Sequence, residues 1–282
     1  MKCAPFEYVL PGSVEEAVAA LAAADGEGKI LAGGQSLVPV MALRLARPAV
    51  LVDVNRIPGL DAITPGVQSR TSEPDGTHTR VVEVGALTRH RDLVAQRHHP
   101  LLAEAARWIG HAAIRTRGTL GGSLAHADPS AELPVVAVAT GAVATVAGPS
   151  GTREVPAEDL FAGPLTTSLA DDEMVTGVRF PVPGRWGFAE FARRHGDFAL
   201  VTAVYAEVDG RPRIALGGVG GVPVRATDAE KVLADGGTSA QAADAAAAEL
   251  RPTADLHGSA AYRRALAAEM VRRALGTAGV GP

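Results

Sequence analysis

The chain has 282 residues, of which 47% are apolar and 21% charged, a composition typical of a globular protein with one large or two medium domains. Its net charge of −4 leaves no basic excess for nucleic-acid binding, and its single cysteine, Cys3, excludes an internal disulfide, a structural zinc site or an iron–sulfur cluster. The first residues lack a signal-peptide pattern and no apolar run reaches the ~18 residues of a membrane span, so we expect a cytoplasmic protein.

Helix and strand signals alternate in two units up to about residue 178. The first unit is predicted to hold a helix capped by Ser13 and Glu16, a strand at 29–31, a helix at 38–45 and a buried strand at 49–54. The second is predicted to hold strands at 81–87, 143–148 and 173–183, with helices starting at Thr88, Pro100 and residue 131. The polar, turn-rich stretch 64–80 predicts a hairpin.

The remaining sequence has a different pattern. Apolar runs at 187–221, joined by the tight turn Asp209-Gly210, predict a β-meander, and three helices follow it. The last helix carries one apolar stripe at a spacing of four residues, formed by Tyr262, Leu266, Met270 and Ala274. Prolines and glycines at 181–184 mark the boundary. The prediction is an α+β protein with domains at 1–178 and 184–282.

Two double-glycine stretches stand out, AGGQSL (residues 32–37) and TLGGS (119–123). Glycine permits positive φ and close approach to the backbone, and successive N–H groups in such a turn form an anion site. We expect each turn to lie between a strand and a helix and to hold part of a diphosphate. Two ordinary tight turns are the alternative. If the turns hold a diphosphate, valine at Gly34 or Gly121 should displace it and leave the fold largely intact.

Other motifs are weaker. No phosphate-binding loop of the G-x-x-x-x-G-K-[ST] type occurs, and GGVGGV (217–222) runs into Pro223 where a dinucleotide motif needs a helix. His126, Asp128 and Glu132 have types that bind metals, but the spacing suggests no fourth ligand, and no metal site is predicted. His98 and His99 are expected at a solvated helix end.

Four collinear blocks, at 30–60, 114–142, 191–201 and 214–233, resemble the FAD-binding medium subunits of molybdenum hydroxylases, the family of aerobic carbon monoxide dehydrogenases and of the xanthine dehydrogenase flavin domain. The resemblance covers nearly the whole chain. It implies a two-lobed FAD-binding domain of the vanillyl-alcohol-oxidase (PCMH) type. A smaller C-terminal domain of the carbon monoxide dehydrogenase flavoprotein type follows, a β-meander packed with helices.

The resemblance also implies cofactor contacts. The pyrophosphate of FAD is expected against both glycine stretches, a sugar or ribityl hydroxyl against an acidic residue, and the isoalloxazine ring against Phe198. The full set of expected FAD contacts is Leu31, Ala32, Gly33, Gly34, Gln35, Ser36, Leu37, Ile109, Thr119, Gly121, Gly122, Ser123, Asp128, Glu132, Val175 and Phe198. Some relatives carry a lysine before the double arginine; Ala189, Glu190 and Phe191 stand here instead, which argues against a charge contact to the flavin. No catalytic acid or base is predicted.

The resemblance implies an electron-transfer subunit. Electrons would pass from iron–sulfur clusters on a partner chain through FAD to an external acceptor, with a large molybdenum-cofactor subunit and a small iron–sulfur subunit as partners. A stand-alone FAD oxidoreductase that acts directly on a small molecule is the alternative, and a module without cofactor is a third hypothesis.

Overall fold

The computed structural model describes residues 2–69, 78–194 and 196–281. The first lobe is a parallel three-stranded sheet, in the order β1–β3–β2, packed against the helix α1. Its elements are β1 (Glu7–Val9), α1 (Val14–Ala23), β2 (Gly28–Leu31), α2 (Leu37–Ala42) and β3 (Val50–Asp53). The expected cap is present, because the backbone N–H of Glu16 donates to Ser13 Oγ at 3.2 Å. Helix α2 is shorter than predicted, since Arg44 takes a φ of 60°.

The second lobe is built on an antiparallel five-stranded sheet in the order β4–β5–β10–β6–β7. Its strands are β4 (Ile63–Ser69), β5 (His78–Gly85), β6 (Val143–Gly148), β7 (Gly151–Pro156) and β10 (Met174–Pro181). β4 and β5 pair from Ile63↔Val84 to Ser69↔His78, so the expected hairpin pairing is confirmed. Its turn, residues 70–77, lies outside the described residues. β10 is the central strand of this sheet and extends to Pro181, beyond the predicted domain end at residue 178.

Six helices and a small two-stranded sheet of the second lobe lie within the described ranges. They are α3 (His90–Ala95), α4 (Pro100–Trp108), α5 (Ala112–Arg115), α6 (Leu120–His126), α7 (Glu132–Thr140), α8 (Ala157–Leu160), β8 (Phe161–Gly163) and β9 (Thr166–Thr167).

Two local predictions in this lobe are wrong. Thr88 does not cap α3: Arg89 is the N-cap residue, and the Thr88 hydroxyl is buried without a hydrogen-bond partner among the described residues. His99 is fully buried instead of solvated, because its Nδ1 accepts from the backbone N–H of Leu102 at 3.1 Å and caps α4. Burial lowers the pKa of His99 to about 4, so its ring is neutral at pH 7.

The C-terminal unit is an antiparallel sheet in the order β11–β12–β13–β14, packed with three helices. Its elements are β11 (Trp186–Phe191), β12 (Val201–Val208), β13 (Arg211–Gly217), β14 (Val224–Arg225), α9 (Thr227–Ala234), α10 (Ser239–Glu249) and α11 (Ala260–Thr277). In α11 the predicted stripe is buried except for Tyr262, which is 44% exposed. Arg263 is buried in its place and donates to the carbonyls of Leu200 and Gly218 at 2.6 and 2.7 Å.

Helix α7 joins the two units. All of its residues are buried, and it packs against α4 of the second lobe and against β12 and β13 of the C-terminal sheet. From that sheet, Arg213 Nε donates to the carbonyl of Ala139 at 2.8 Å. The predicted α+β architecture, two lobes followed by a meander with helices, is confirmed. In the described parts of the chain, no helix has the length and apolar character to cross a membrane.

Candidate functional site

The first glycine segment (residues 32–37) connects the end of β2 to the start of α2. Gly34 has a φ of 71°, which a side chain would strain. Among the hydrogen bonds of the described residues, none is donated by the backbone N–H groups of residues 33–36. Because unpaired backbone donors are costly unless a ligand or water takes them, this segment is a set of four donors available to an anion.

The second glycine segment (residues 119–123) differs from its prediction. It is preceded by α5 and not by a strand, and both glycines lie in the first turn of α6, whose N-cap residue is Thr119. The N–H groups of both its glycines have partners inside the protein. That of Gly121 donates to the carbonyl of Ala86 at 2.8 Å, and that of Gly122 donates to Thr119 Oγ1 at 3.1 Å.

Glycine is required at two positions by the protein's own packing. A Cβ at Gly33 would lie 2.3 Å from the carbonyl oxygen of Arg117, and one at Gly121 would lie 2.6 Å from Ala86 Cβ. Neither neighbour can move without moving backbone. The expectation that valine at Gly121 leaves the fold intact is therefore wrong.

Two adjoining cavities border both glycine segments. The larger has a volume of about 390 Å³ and the smaller about 150 Å³. Of the predicted contacts, those lining both cavities are Gly33, Gly34, Gln35, Ser36 and Gly122; those lining only the larger are Ile109, Thr119, Ser123, Asp128, Glu132 and Phe198; those lining only the smaller are Ala32, Leu37, Gly121 and Val175. The structure thus brings the predicted residues from both lobes and from the C-terminal unit to one continuous groove.

One predicted contact is placed elsewhere. Leu31 lines neither cavity, whereas its neighbour Ile30 lines the smaller one. The alternation of side chains along β2 explains the difference, since adjacent strand residues point to opposite faces. Phe198 is 77% exposed at the edge of the larger cavity, where its ring is accessible to a bound group.

Two buried carboxyl groups interact with each other, and one of them, Glu132, lines the larger cavity. Glu132 begins α7 and Glu190 lies on β11, and each is 8% exposed. Burial raises the pKa of Glu132 to about 7, with the nearby Asp128 adding to the shift. Burial and the charge of Glu132 raise the pKa of Glu190 to about 9, and Thr202 Oγ1 donates to Glu190 at 3.4 Å. Near neutral pH this pair retains protons, so Glu132 can donate to or accept from a ligand hydroxyl.

His90 also lines the larger cavity, and the sequence reasoning did not identify it. Its Nε2 lies 3.0 Å from the carbonyl of Thr119, while its buried Nδ1 has no partner among the described residues. Burial lowers the pKa of His90 to about 4. The neutral ring therefore donates from Nε2 and leaves Nδ1 as an acceptor. Asn55 and Arg89 were missed as well; they contact the glycine segments only through the tertiary fold.

In the ranges that the structure describes, no three His, Cys, Asp or Glu side chains are grouped so as to hold a metal ion. The donors around the groove are backbone N–H groups, hydroxyls and carboxyls, a set that suits a phosphorylated, hydroxyl-bearing organic ligand.

Two family models match the chain. Residues 4–183 match the FAD binding domain in molybdopterin dehydrogenase, and residues 186–278 match the CO dehydrogenase flavoprotein C-terminal domain. The chain belongs to the FAD-binding medium subunits of molybdenum hydroxylases. Its cofactor is therefore FAD, and the bare donors of the first glycine segment fit the diphosphate of that molecule.

Similar proteins agree along nearly the whole length. The nicotine 6-hydroxylase medium subunit of Paenarthrobacter nicotinovorans is 43% identical, covering 99% of each chain. The carbon monoxide dehydrogenase medium chain of Hydrogenophaga pseudoflava is 38% identical, covering 97% of this chain and 96% of its own. Among solved structures, quinoline 2-oxidoreductase from Pseudomonas putida 86 superposes with a TM-score of 0.88 at 36% identity, covering 99% of this chain and 98% of its own.

Proposed function

We propose that this chain binds FAD with the diphosphate between its two glycine segments and passes electrons from iron–sulfur clusters on a partner chain to an external acceptor. The observation that supports this best is the run of residues 33–36, which lines both cavities and whose backbone N–H groups have no partner among the described residues. These donors are held in place before the ligand arrives, so binding does not have to order them.

The two cavities are lined by different side chains, so each can be matched to one half of a dinucleotide. Apolar side chains dominate the smaller cavity, among them Ile30, Leu60 and Val175. We assign the adenine to this side. The larger cavity has the carboxyls of Asp128 and Glu132 along its wall and Phe198 at its edge. We assign the ribityl hydroxyls to the carboxyls and the flavin ring to the edge.

Bound FAD supplies the two-electron and one-electron chemistry. The residues of this chain bind and orient it. The backbone of residues 33–36 would donate to phosphate oxygens, and Glu132 would exchange hydrogen bonds with a hydroxyl. The neutral His90 packs at the same wall, where its Nε2 holds the carbonyl of Thr119. No side chain of the described residues is assigned a catalytic proton transfer.

We also propose a cytoplasmic complex with a large molybdenum-cofactor subunit and a small iron–sulfur subunit. The relatives are called medium subunits or medium chains, and Cys3, the single cysteine, cannot hold a cluster. Tagged chain purified from its native cells should bring both partners with it. Recovery alone, with FAD bound and turnover of a small molecule, would support the stand-alone oxidoreductase instead.

The location of FAD is tested by filling the groove. Ser123 lies in α6 and lines the larger cavity, so Ser123→Phe should place a ring where the cofactor lies while keeping helical backbone. Ala248→Phe, at an exposed position of α10, is the matched control. We expect FAD content per chain, measured from flavin released on denaturation, to fall at least tenfold in Ser123→Phe and to stay unchanged in the control. Equal FAD content in both would place the cofactor elsewhere.

A further inference from the structure

Asn55 holds the entry to the first glycine segment. Its side-chain Nδ2 donates to the carbonyl of Ala32 at 2.8 Å and to that of Leu31 at 3.3 Å. Its own position is fixed by Asp53, whose Oδ1 accepts from the backbone N–H of Asn55 at 2.9 Å and from Nδ2 at 2.6 Å. A second contact orders Asp53, since Tyr8 donates to its other oxygen at 2.6 Å. The amide of Asn55 therefore ties its own loop after β3 to the loop after β2.

Arg89 continues this connection into the second lobe. One guanidinium nitrogen donates to Asn55 Oδ1 at 2.6 Å, and the other donates to the carbonyl of Arg117, just before the second glycine segment. This is the same carbonyl that a Cβ at Gly33 would overlap. The backbone of Arg89 is anchored too, through a bridge to Thr119. One planar fork thus joins Asn55, which holds the first segment, to the backbone of Arg117, two residues before the second segment.

We propose that Arg89 and Asn55 are positioning residues that fix the spacing of the two glycine segments and thereby set the affinity for FAD. The inference rests on the proposed function, in which the diphosphate lies between these segments. Neither residue lines either cavity, so the effect is exerted through the backbone at residues 32 and 117.

The physical basis is the narrow range of hydrogen-bond distances. Donors reach phosphate oxygens well only at about 2.7–3.2 Å, so a shift of a few tenths of an ångström between the lobes weakens several contacts together. A connection that pre-sets the spacing also removes an ordering cost from binding. Arg89 suits this role because its fork is rigid and binds two acceptors at once, which a lysine cannot reproduce.

The test is a titration of the full-length chain, stripped of flavin, with FAD, followed by flavin fluorescence. We expect the Kd to rise at least tenfold in Arg89→Ala and in Asn55→Ala, and the double variant to be no weaker than the poorer single variant. Arg89→Lys should recover only part of the affinity. The matched control is Arg91→Ala, two residues from Arg89. It removes an exposed arginine that pairs with Asp92 at 3.5 Å. The Kd of this variant for FAD should stay within twofold of wild type.

The melting temperature of each flavin-free variant separates positioning from stability. A loss of affinity in Arg89→Lys, at an unchanged melting temperature of the flavin-free chain, supports positioning even if Arg89→Ala fails to fold. Wild-type Kd values in Arg89→Lys and in Asn55→Ala would overturn the inference. If Ser123→Phe still loses FAD in that case, the proposed site stands and only the role of the connection fails; if Ser123→Phe also binds normally, the proposed site itself is wrong.

Discussion

The two glycine segments have the same pattern of two glycines before a serine or a short polar stretch, yet their backbones serve different purposes. In the first, the N–H groups of residues 33–36 have no described partner. In the second, the N–H groups of Gly121 and Gly122 are already bonded to Ala86 and Thr119. The first segment therefore provides donors, while the second provides a close-fitting wall at the start of α6.

This contrast shows that a glycine pair does not by itself reveal which group needs the missing side chain. At Gly34 the need is conformational, because φ is 71°. At Gly33 and Gly121 it is steric, and the group that approaches is another part of the same chain. Substitutions at Gly34 and at Gly121 should therefore fail in different ways.

The largest effect is expected at Gly121. Gly121→Val places side-chain atoms against Ala86, with Cβ 2.6 Å from Ala86 Cβ and 2.9 Å from its carbonyl oxygen. We expect the free energy of unfolding to fall by about 3 kcal/mol, measured by urea denaturation of the flavin-free chain. Gly276→Ala in α11, where a Cβ meets nothing within 4 Å, should instead gain up to about 1 kcal/mol. Full stability of Gly121→Val would show that Ala86 does not confine this position.

An intermediate effect is expected from the acid pair beside the second segment. The pKa of Glu190 is raised to about 9 in the folded chain, so the unfolded chain ionises first as pH rises and stability falls from about pH 4.5 up to pH 9. Glu190→Gln removes this loss. The free energy of unfolding of this variant, minus that of wild type, should increase by about 1 kcal/mol for each unit by which pH rises between pH 6 and 8.

Urea denaturation at pH 5, 6, 7 and 8 measures this slope. Glu154→Gln is the control. Arg179 donates to Glu154 and lowers its pKa, so that carboxyl is ionised in both folded and unfolded chains across this range and contributes no slope. A difference between Glu190→Gln and wild type that does not change with pH would contradict the assignment of a proton to this pair.

The smallest effect is expected at Gly34. Gly34→Ala must hold a φ of 71°, and its Cβ would lie 3.1 Å from side-chain atoms of Leu31 and Val38, which can adjust. We expect a loss of about 1 kcal/mol in the free energy of unfolding. Gly59→Ala, at a φ of 79° with nothing within 4 Å, measures the conformational part alone. A loss as large as that of Gly121→Val would remove the distinction between Gly34 and Gly121.

Contiguous patterns made much of this molecule predictable. The Ser13 cap, the alternation of strands and helices and the two glycine stretches are local signals, and the two-lobed α+β pattern follows from them. The other groove residues, Glu132 and Phe198 among them, were expected from the family resemblance. Thr88 and His99 were misassigned because a local pattern does not tell which of several adjacent polar residues supplies a cap. The helix begins one residue later than Thr88 would require, and His99 is enclosed by the end of β10.

The missed residues had weaker signals. Asn55 and Arg89 meet across 34 positions of sequence, and only the arrangement of the two lobes brings them together. Ile30 could have been chosen over Leu31 by continuing the two-residue period of β2. Glu190 was visible as a lone carboxylate in the apolar strand WGFAEF, and a buried charge without a cation nearby is a signal of an altered pKa.

Helix α7 extends from the groove to the C-terminal sheet. Its first residue, Glu132, faces the groove, and its middle packs so closely on β13 that a Cβ at Gly217 would lie 2.6 Å from Val135. The two units are therefore not interchangeable modules. A chimera that joins this N-terminal unit to the C-terminal unit of a relative would need matching substitutions along both faces of that contact, or the acidic end of the groove would shift with the foreign sheet.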